Sequence, residues 1–302
     1  MNHNIKSHLA LLGANIIYGL NYVIAKGIMP DFMLPKAIIF LRVSVTVVVF
    51  GILHFLLPSE KVDKKDLFKL ALCAVFGVAI NQILFFEGLN LSTPINASII
   101  ITVIPVLILI FSHYILKEKI TTIKVFGIIL GAAGALIVIL SAGRGDFKSA
   151  TLLGNFLIFV NAISWALYLV LIKPLMEKYD STTIMKWVFF FGLIIVFPFT
   201  FTSFTATSFN AIPFNIWMSI SFVVFGATII AYFLNNYSLK TVSPNVNGIY
   251  IYLQPLIASV VSILYGKDEL TVLKTVAAVL IMAGVYFVTR RPKIDKLPFP
   301  TA

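Results

Sequence analysis

The chain has 302 residues, of which 60% are hydrophobic and only 12% are charged, and its mean hydropathy is +1.00. Soluble domains carry about 25% charged residues, so the composition excludes a soluble globular fold. The net charge of +11 does not indicate nucleic-acid binding, because the lysines lie in short segments between apolar stretches, as they do in the cytoplasmic loops of membrane proteins.

Ten apolar stretches are long enough to cross a membrane. A helix needs about 20 apolar residues to span ~30 Å of hydrocarbon, and backbone in contact with lipid has to satisfy its own hydrogen bonds. The sequence therefore predicts an all-α membrane protein with ten transmembrane helices. Their predicted ranges are 8–28, 36–57, 67–87, 93–115, 121–141, 151–172, 183–203, 214–236, 243–265 and 271–289.

Lysine and arginine are distributed unevenly between alternate loops. Of the 23 basic residues, 16 fall on one side of the predicted membrane, here called the inner end, and six fall on the other, the outer end. Arg42 lies within a helix. Because cytoplasmic loops carry the excess of basic residues, we expect a multi-pass protein of the inner (plasma) membrane with both termini in the cytoplasm.

The second half of the sequence repeats the first. The matches predict two five-helix repeats, residues 1–145 and 146–302. Because five is odd, the second repeat is expected to be inverted relative to the first. At an offset of 150 the matched pairs are Leu89 with Leu239, Pro105 with Pro255, Ser112 with Ser262, Gly134 with Gly284, and KEKIT at 117–121 with KDELT at 267–271; at an offset of 147, residues 18–26 match 165–173.

Polar side chains form stripes within several predicted helices of both halves. Such groups are costly at membrane depth unless they meet a partner or a wet cavity. The stripes predict a substrate cavity between the repeats; hydrogen bonds that merely hold the helices together are the alternative. The residues are Tyr18, Asn21, Asn81, Gln82, Asn96, Ser98, Thr102, Asn161, Trp165, Tyr168, Asn247, Tyr250 and Gln254.

Two prolines and two charges are also embedded in the predicted helices. Pro105 and Pro255 each remove a backbone donor, which indicates either a hinge that frees a carbonyl or a tolerated kink. Arg42 and Glu87 both lie towards the outer end. Pairing them would offset the cost of burying either one alone, and a proton-coupling role for Glu87 is the alternative.

A proline-centred fourth helix and a glycine-rich fifth helix give the repeat a recognisable pattern. The segment 97–105 is followed by the loop 117–121 and by Gly127, Gly131 and Gly134, and the second half carries counterparts. This pattern resembles the EamA family of the drug/metabolite transporter superfamily, over nearly the whole chain. The resemblance implies ten helices around a central cavity lined mainly by helices one, three, four and their counterparts, and it does not imply a particular substrate.

The sequence features favour a secondary transporter, either a facilitator or a proton-coupled carrier. We expect a small neutral or zwitterionic substrate, such as an amino acid, moved by alternating access at the repeat interface. A membrane-embedded enzyme and a non-transporting scaffold are the alternatives. The sequence offers no nucleophile–base set, metal-ligand spacing or phosphate-binding loop, so we expect no enzyme activity and no cofactor; the expected partners are the substrate, the lipid bilayer and, for coupling, protons.

Overall fold

The described part of the chain is an all-helical bundle. The computed structural model describes residues 3–56, 60–141, 151–264 and 272–289, and these contain no β-strand. Within them the prediction of ten helices is confirmed. The helices are α1 (His3–Ile28), α2 (Pro35–Leu56), α3 (Lys64–Asn90), α4 (94–116), α5 (Thr122–Ser141), α6 (Leu152–Lys178), α7 (Ser181–Thr205), α8 (Phe214–Leu239), α9 (244–264) and α10 (Val272–Thr289).

The helices have the lengths and the surface of membrane spans. Six of them, α1–α3 and α6–α8, provide apolar spans of 22–27 residues, which at 1.5 Å per residue exceed the ~30 Å of a hydrocarbon core. Large apolar side chains such as Phe55, Leu152 and Phe214 are 80–88% exposed. An exposed surface of this kind suits lipid, and the chain is a multi-pass membrane protein.

Four helices are interrupted where they pass through the middle of the bundle. A π-helical segment leaves carbonyl groups without their usual partner four residues on, and such segments are frequent at functional sites. The interruptions are π-helical segments in α3 (Val75–Ile80) and α8 (Phe222–Ile230), a break in α4 at 102–103, and a 3₁₀ turn in α9 (Tyr250–Tyr252).

The helices pack in pairs. α5 packs along α10 and α2 along α7, while α3 packs against α6 and α1 against α8. The α5–α10 contact is close because small residues face one another: a Cβ on Gly284 would lie 2.6 Å from the Gly127 carbonyl oxygen, and one on Gly134 would lie 2.7 Å from that of Ala277. Small residues allow such close approach between helices in lipid.

Equivalent lysines in the two halves bind equivalent helix ends. Lys26 Nζ, on α1, donates to the carbonyl oxygens of Leu89 (3.0 Å) and Asn90 (2.7 Å) at the end of α3. Lys173 Nζ, on α6, donates to that of Leu239 (2.6 Å) at the end of α8. The free carbonyls at a helix C-terminus attract cations. The two contacts correspond at the sequence offsets of 147 and 150, which supports the proposal of two repeats.

The ends of the helices differ from the predicted ranges by a few residues. The largest difference is in α6, which ends at Lys178 rather than at 172, because Pro174 lies inside the helix instead of ending it. Membrane helices tolerate such prolines when neighbouring groups satisfy the freed carbonyl. The predicted boundary at 145/146, the loop 267–271 and the basic segment 290–296 lie outside the described residues.

Candidate functional site

A cavity lies inside the bundle, between helices of the two halves. Its volume is about 70 Å³, which is room for a few water molecules. The first half contributes side chains from α1, α2, α3 and α4, and the second half contributes them from α6, α8 and α9. The cavity is therefore bounded by both proposed repeats.

On α2, α3 and α6 the lining of the cavity begins closer to the outer end than to the inner end. On α3 it begins at Asn81, which at 1.5 Å per residue is ~26 Å from Lys64 and ~14 Å from Asn90. Arg42 and Asn161 likewise lie nearer the outer ends of α2 and α6. Along α3 a longer stretch of helix separates the cavity from the inner end, whereas on α8 the lining residue Tyr232 lies nearer the inner end, Leu239.

Three aromatic rings from α1, α6 and α8 form one wall of the cavity. Trp165 meets Tyr232 edge to face, with ring centroids 5.1 Å apart. Tyr18 lies edge-on to both, at 6.2 Å from Trp165 and 6.3 Å from Tyr232. Such pairs contribute about 0.5–1.5 kcal/mol each beyond the area they bury, so the rings hold one another in a fixed arrangement across the two halves.

A hydrogen-bonded chain connects α1 to α9 beside the cavity. Tyr22 donates its hydroxyl proton to Gln254 Oε1 (2.8 Å), and Gln254 Nε2 donates to Asn15 Oδ1 (2.8 Å). All three side chains are at most 5% exposed. Both amide atoms of Gln254 are thus satisfied within the protein, which makes this residue part of the cavity's framework.

The π-helical segment of α3 supplies backbone acceptors to the second half. Ser164 Oγ donates to the Phe76 carbonyl oxygen (2.6 Å). The Tyr232 hydroxyl lies within hydrogen-bonding distance of the Gly77 carbonyl oxygen (3.0 Å) and of Asn81 Oδ1 (2.9 Å). The local π geometry thereby positions Tyr232 at the cavity wall.

Several buried polar atoms of the lining have no partner among the described residues. They are the hydroxyl of Tyr18, Oδ1 of Asn21 and Oε1 of Gln82. Leaving a buried polar atom unsatisfied costs about 1–3 kcal/mol, and native proteins contain few such atoms. Other buried polar atoms without a partner are spread through the described part of the bundle, but those of the lining face one shared space, as expected of a binding site for a polar ligand.

Arg42 is the charged side chain of the lining. It is 4% exposed, and its Nε donates to Thr228 Oγ1 at 2.5 Å. Thr228 uses its own proton to donate to the Val223 carbonyl oxygen (2.8 Å), so its oxygen is left free to accept from Arg42. The guanidinium carbon lies 4.4 Å from the centre of the Phe86 ring, a favourable cation–π distance.

Charged side chains join α3 to α6 at the inner end. Lys178 Nζ lies 2.6 Å from Asp66 Oδ2 and 2.5 Å from Asp63 Oδ2. Tyr179 donates to Asp66 Oδ2 at 2.9 Å, and Lys69 Nζ lies 3.0 Å from Asp66 Oδ1. We call these five residues the inner cluster. Asp66 is its centre, since the side chain is 8% exposed and receives three donors.

A tightly packed seam fills the space between the inner cluster and the cavity. Leu70 and Cys73 of α3 are at most 1% exposed, and they lie on the face of α3 that carries Asp66 and Gly77. A Cβ on Gly77 would lie 2.3 Å from the ring of Tyr168 on α6. We call Leu70, Cys73, Gly77 and Tyr168 the α3–α6 seam; side chains in such close contact leave no passage for a solute.

Both halves of the chain match the same family model. The model, described as the EamA-like transporter family, covers residues 5–140 and 152–290. The chain belongs to the EamA-like transporter family. This confirms the family recognised from the sequence, and the protein is accordingly a transporter rather than an enzyme.

Relatives of this EamA-like transporter extend over nearly all of its length. The uncharacterized transporter YyaM of Bacillus subtilis is 26% identical, over 92% of each chain. The uncharacterized transporter YetK of the same organism is 27% identical, over 98% of this chain and 90% of its own. A solved crystal structure with 15% identity superposes with a TM-score of 0.70, covering 95% of this chain and 98% of that one; it supports the fold alone.

Arg42 and Glu87 of this EamA-like transporter do not form the ion pair predicted from the sequence. The ion pairs of the described residues include neither side chain. Arg42 contacts Phe86, and the next residue along an α-helix points about 100° away. Glu87 therefore lies on another face of α3, half-buried and outside the cavity lining.

Seven of the predicted cavity residues line the cavity and six do not. Tyr168 is directed towards Asn236, to which its hydroxyl donates (2.8 Å), and the Tyr250 hydroxyl is 2.9 Å from His8 Nδ1. The prediction assumed one helical period through α9, but the 3₁₀ turn changes which faces point inward. The seven are Tyr18, Asn21, Asn81, Gln82, Asn161, Trp165 and Gln254; the other six are Asn96, Ser98, Thr102, Tyr168, Asn247 and Tyr250.

Both predicted helix breaks coincide with departures from regular helix. Pro105 is the second residue of the helical segment that restarts at Ile104, directly after the break in α4. Pro255 follows the 3₁₀ turn of α9 by three residues. A missing N–H is tolerated near the start of a helical segment, where no partner is available in any case. A hinge role for either proline remains a prediction.

Some of the lining was not predicted from the sequence. Tyr232 could have been found, because it aligns with Gln82 at the repeat offset of 150. Tyr22 lies one helical turn beyond Tyr18 and was equally accessible to periodicity. The apolar lining residues carried no signal, since they resemble every other membrane residue. The unpredicted residues are Tyr22, Phe85, Phe86, Ile101, Ile104, Tyr232 and Ile251.

Proposed function

We propose that this protein is a secondary transporter that moves a small metabolite by alternating access at the interface of two inverted five-helix repeats, residues 1–145 and 146–302. Both termini would lie in the cytoplasm, as the distribution of basic residues predicts. One observation carries the proposal: a cavity bounded by both halves, at membrane depth, is lined by buried polar atoms that lack partners.

Alternating access requires that each end of the molecule can open in turn. At the inner end the closure joins α3 of the first repeat to α6 of the second, through Lys178, Asp66 and Asp63. At the outer end the hydroxyl of Ser92 donates to Asn155 Oδ1 (2.6 Å), again between the two repeats. Both closures are therefore contacts that a relative movement of the repeats would break.

The lining suits a small polar solute. Amide and hydroxyl groups can hydrogen-bond a neutral or zwitterionic metabolite such as an amino acid, and the rings of Tyr18, Trp165 and Tyr232 can pack against its apolar part. Proton coupling, for which Glu87 is the sequence-based candidate, is part of the proposal to be tested by a pH gradient.

Uptake into proteoliposomes tests the proposal. Purified protein is assayed against amino acids, organic acids and their neutral amides, each with and without a pH gradient. Protein-dependent flux of at least one solute supports it. The absence of flux for the whole panel, in both directions and under both gradients, contradicts it.

A matched pair of tryptophan variants tests whether flux uses this cavity. Trp165→Ala removes one of the three rings of the aromatic wall and is expected to lower flux at least tenfold, while the protein still inserts and purifies. Trp187→Ala is the control, because Trp187 lies outside the lining and stacks on Phe191 of its own helix, α7. Equal flux through both variants would place transport elsewhere in the protein.

A further inference from the structure

The charge of the cavity is not balanced by the protein. Arg42 is buried in the wall, and the lining contains neither Asp nor Glu. Its contacts among the described residues are with the hydroxyl of Thr228 and the ring of Phe86. Both contacts are favourable, yet neither supplies a negative charge. A buried cation without a counter-charge is costly at membrane depth, and such residues mark the paths of substrates and ions.

Most of the guanidinium group is available to a ligand. An arginine has five N–H donors in a planar fork, and only the Nε donor of Arg42 has an acceptor among the described residues. That bond to Thr228, together with the position of the guanidinium group over the Phe86 ring, fixes the side chain. The four donors on the two Nη atoms remain, in the arrangement that matches two oxygens of a carboxylate.

A further buried donor of the lining complements these. The Tyr18 hydroxyl has no partner among the described residues. A carboxylate has about four acceptor positions on its two oxygens, so it can accept from an arginine and still use further donors. The cavity thus combines a positive charge and an additional donor with the aromatic wall of Tyr18, Trp165 and Tyr232.

We propose that the substrate is a small organic anion, and that Arg42 binds its carboxylate. This inference rests on the proposed transport function and narrows its substrate class. An amino acid also has a carboxylate, but its ammonium group would meet no acidic side chain in the lining. A substrate with one negative charge neutralises Arg42, whereas a zwitterion leaves the net charge of the site unchanged. The cavity therefore selects an acid over the amino acid and over the neutral amide of the same size.

Two series of matched compounds test the charge preference of the unmodified protein. One contains 3-phenylpropanoate, its amide, 2-phenylethylamine and phenylalanine; the other contains 4-methylpentanoate, its amide, isopentylamine and leucine. Within each series the apolar part is the same while the charge changes, and the carboxylate and its amide have nearly the same shape. Binding is measured by the shift in melting temperature in detergent, and transport by flux in proteoliposomes. We expect the carboxylate to bind at least tenfold more tightly than its amide or the amino acid in at least one series.

Variants of Arg42 test the assignment of the binding residue. Arg42→Gln is expected to lower carboxylate affinity at least tenfold and to leave amide affinity within about twofold. Arg42→Lys keeps the charge but loses the fork, so it should retain part of the preference. Lys65→Gln removes an exposed lysine on α3 outside the cavity and should change nothing. If Arg42→Gln fails to fold, Arg42→Lys and the compound series still decide.

Three results would overturn the inference. The first is equal binding of carboxylate and amide by the unmodified protein, and the second is carboxylate binding that Arg42→Gln leaves unchanged. The third is no stabilisation by either carboxylate. Flux of amides or amino acids that persists in Arg42→Gln would overturn this inference while the proposed transport function stands, whereas the absence of flux for every solute would contradict the transport function itself.

Discussion

At each end of the molecule a helix of one half contacts a helix of the other, α3 with α6 at the outer end and α8 with α1 at the inner end. The helices correspond between the two halves, but the types of side-chain contact differ. At the outer end, Thr151 donates to the Leu91 carbonyl oxygen through its backbone N–H (2.9 Å) and its hydroxyl (3.0 Å). At the inner end the corresponding contact is made by the hydroxyls of Ser7 and Thr241, 2.6 Å apart. Only the inner end adds ion pairs, since the described residues at the outer end form none.

The difference between the ends follows from the residues at matching positions of the two proposed repeats. At the offset of 147, Asp31 takes the position of Lys178, and at the offset of 150, Ile216 takes the position of Asp66. The outer end therefore lacks the lysine and the acid that form the inner cluster. Along α3 the cavity also lies nearer the outer end, and the α3–α6 seam fills the longer distance to the inner end. The inner closure is therefore the thicker and more polar of the two, and its opening is expected to be the more costly step.

The α3–α6 seam should tolerate no added volume, and this is the largest effect expected. In Gly77→Ala the new Cβ would lie 2.3 Å from the Tyr168 ring, whereas in Gly226→Ala, in the matching π-helical segment of α8, it would lie 3.4 Å from Phe222. Overpacking typically costs about 1–3 kcal/mol and occasionally more, and we expect the upper end here because a Cβ 2.3 Å from a buried ring cannot be accommodated without a shift. We expect Gly77→Ala to lower the melting temperature in detergent clearly and Gly226→Ala to leave it nearly unchanged. Equal effects would show that the seam is not tightly packed.

Charge removal in the inner cluster should have the next largest effect. Asp66→Asn and Lys178→Gln each remove a charged hydrogen bond worth about 1.5–3 kcal/mol, while Ser92→Ala at the outer end removes a neutral one worth about 0.5–1.5 kcal/mol. Because Lys178 is half-exposed, the loss in Lys178→Gln should lie at the low end of the range for charged hydrogen bonds. Melting temperatures of the single variants and of the Asp66–Lys178 double variant provide the check; strictly additive losses would mean that the two residues are not coupled.

Replacing either of the two lysines that bind helix ends should have the smallest effect on the melting temperature. The losses from the two replacements should also be the most similar between the two proposed repeats. Lys26→Met loses two carbonyl acceptors, and Lys173→Met loses one together with an ion pair to the exposed Glu177 (2.7 Å). Cations at helix C-termini contribute about 0.3–1 kcal/mol at exposed positions, and an exposed i,i+4 ion pair adds about 0.3–0.5 kcal/mol. Both variants should lower the melting temperature slightly and by similar amounts. A clear loss in only one of them would argue against equivalent roles in the two repeats.

The fold was more predictable than the site, for physical reasons. Helices that cross a membrane must be long and apolar, so hydropathy and basic loops determine their number. The face that each residue presents depends on a regular helical period, and the 3₁₀ turn of α9 broke that period at Tyr250. Arg42 was predicted as embedded, but its contact with Thr228 on α8 depends on how distant helices pack. The offset of 150 between the halves would have predicted the position of Tyr232 from that of Gln82, whereas hydropathy alone did not distinguish it.

The central claim is that the inner cluster and the α3–α6 seam close the path between the cavity and the inner end. The reactivity of Cys73 tests this claim most directly. Cys73 is the single cysteine of the chain, and it lies in the seam with 1% exposure. Its rate of labelling by a membrane-impermeant maleimide is measured in inside-out vesicles, with Cys73→Ser as the blank. We predict slow labelling of the unmodified protein and of Ser92→Ala, and labelling at least tenfold faster when Asp66→Asn and Lys178→Gln are combined. Equal rates in all three would contradict the claim.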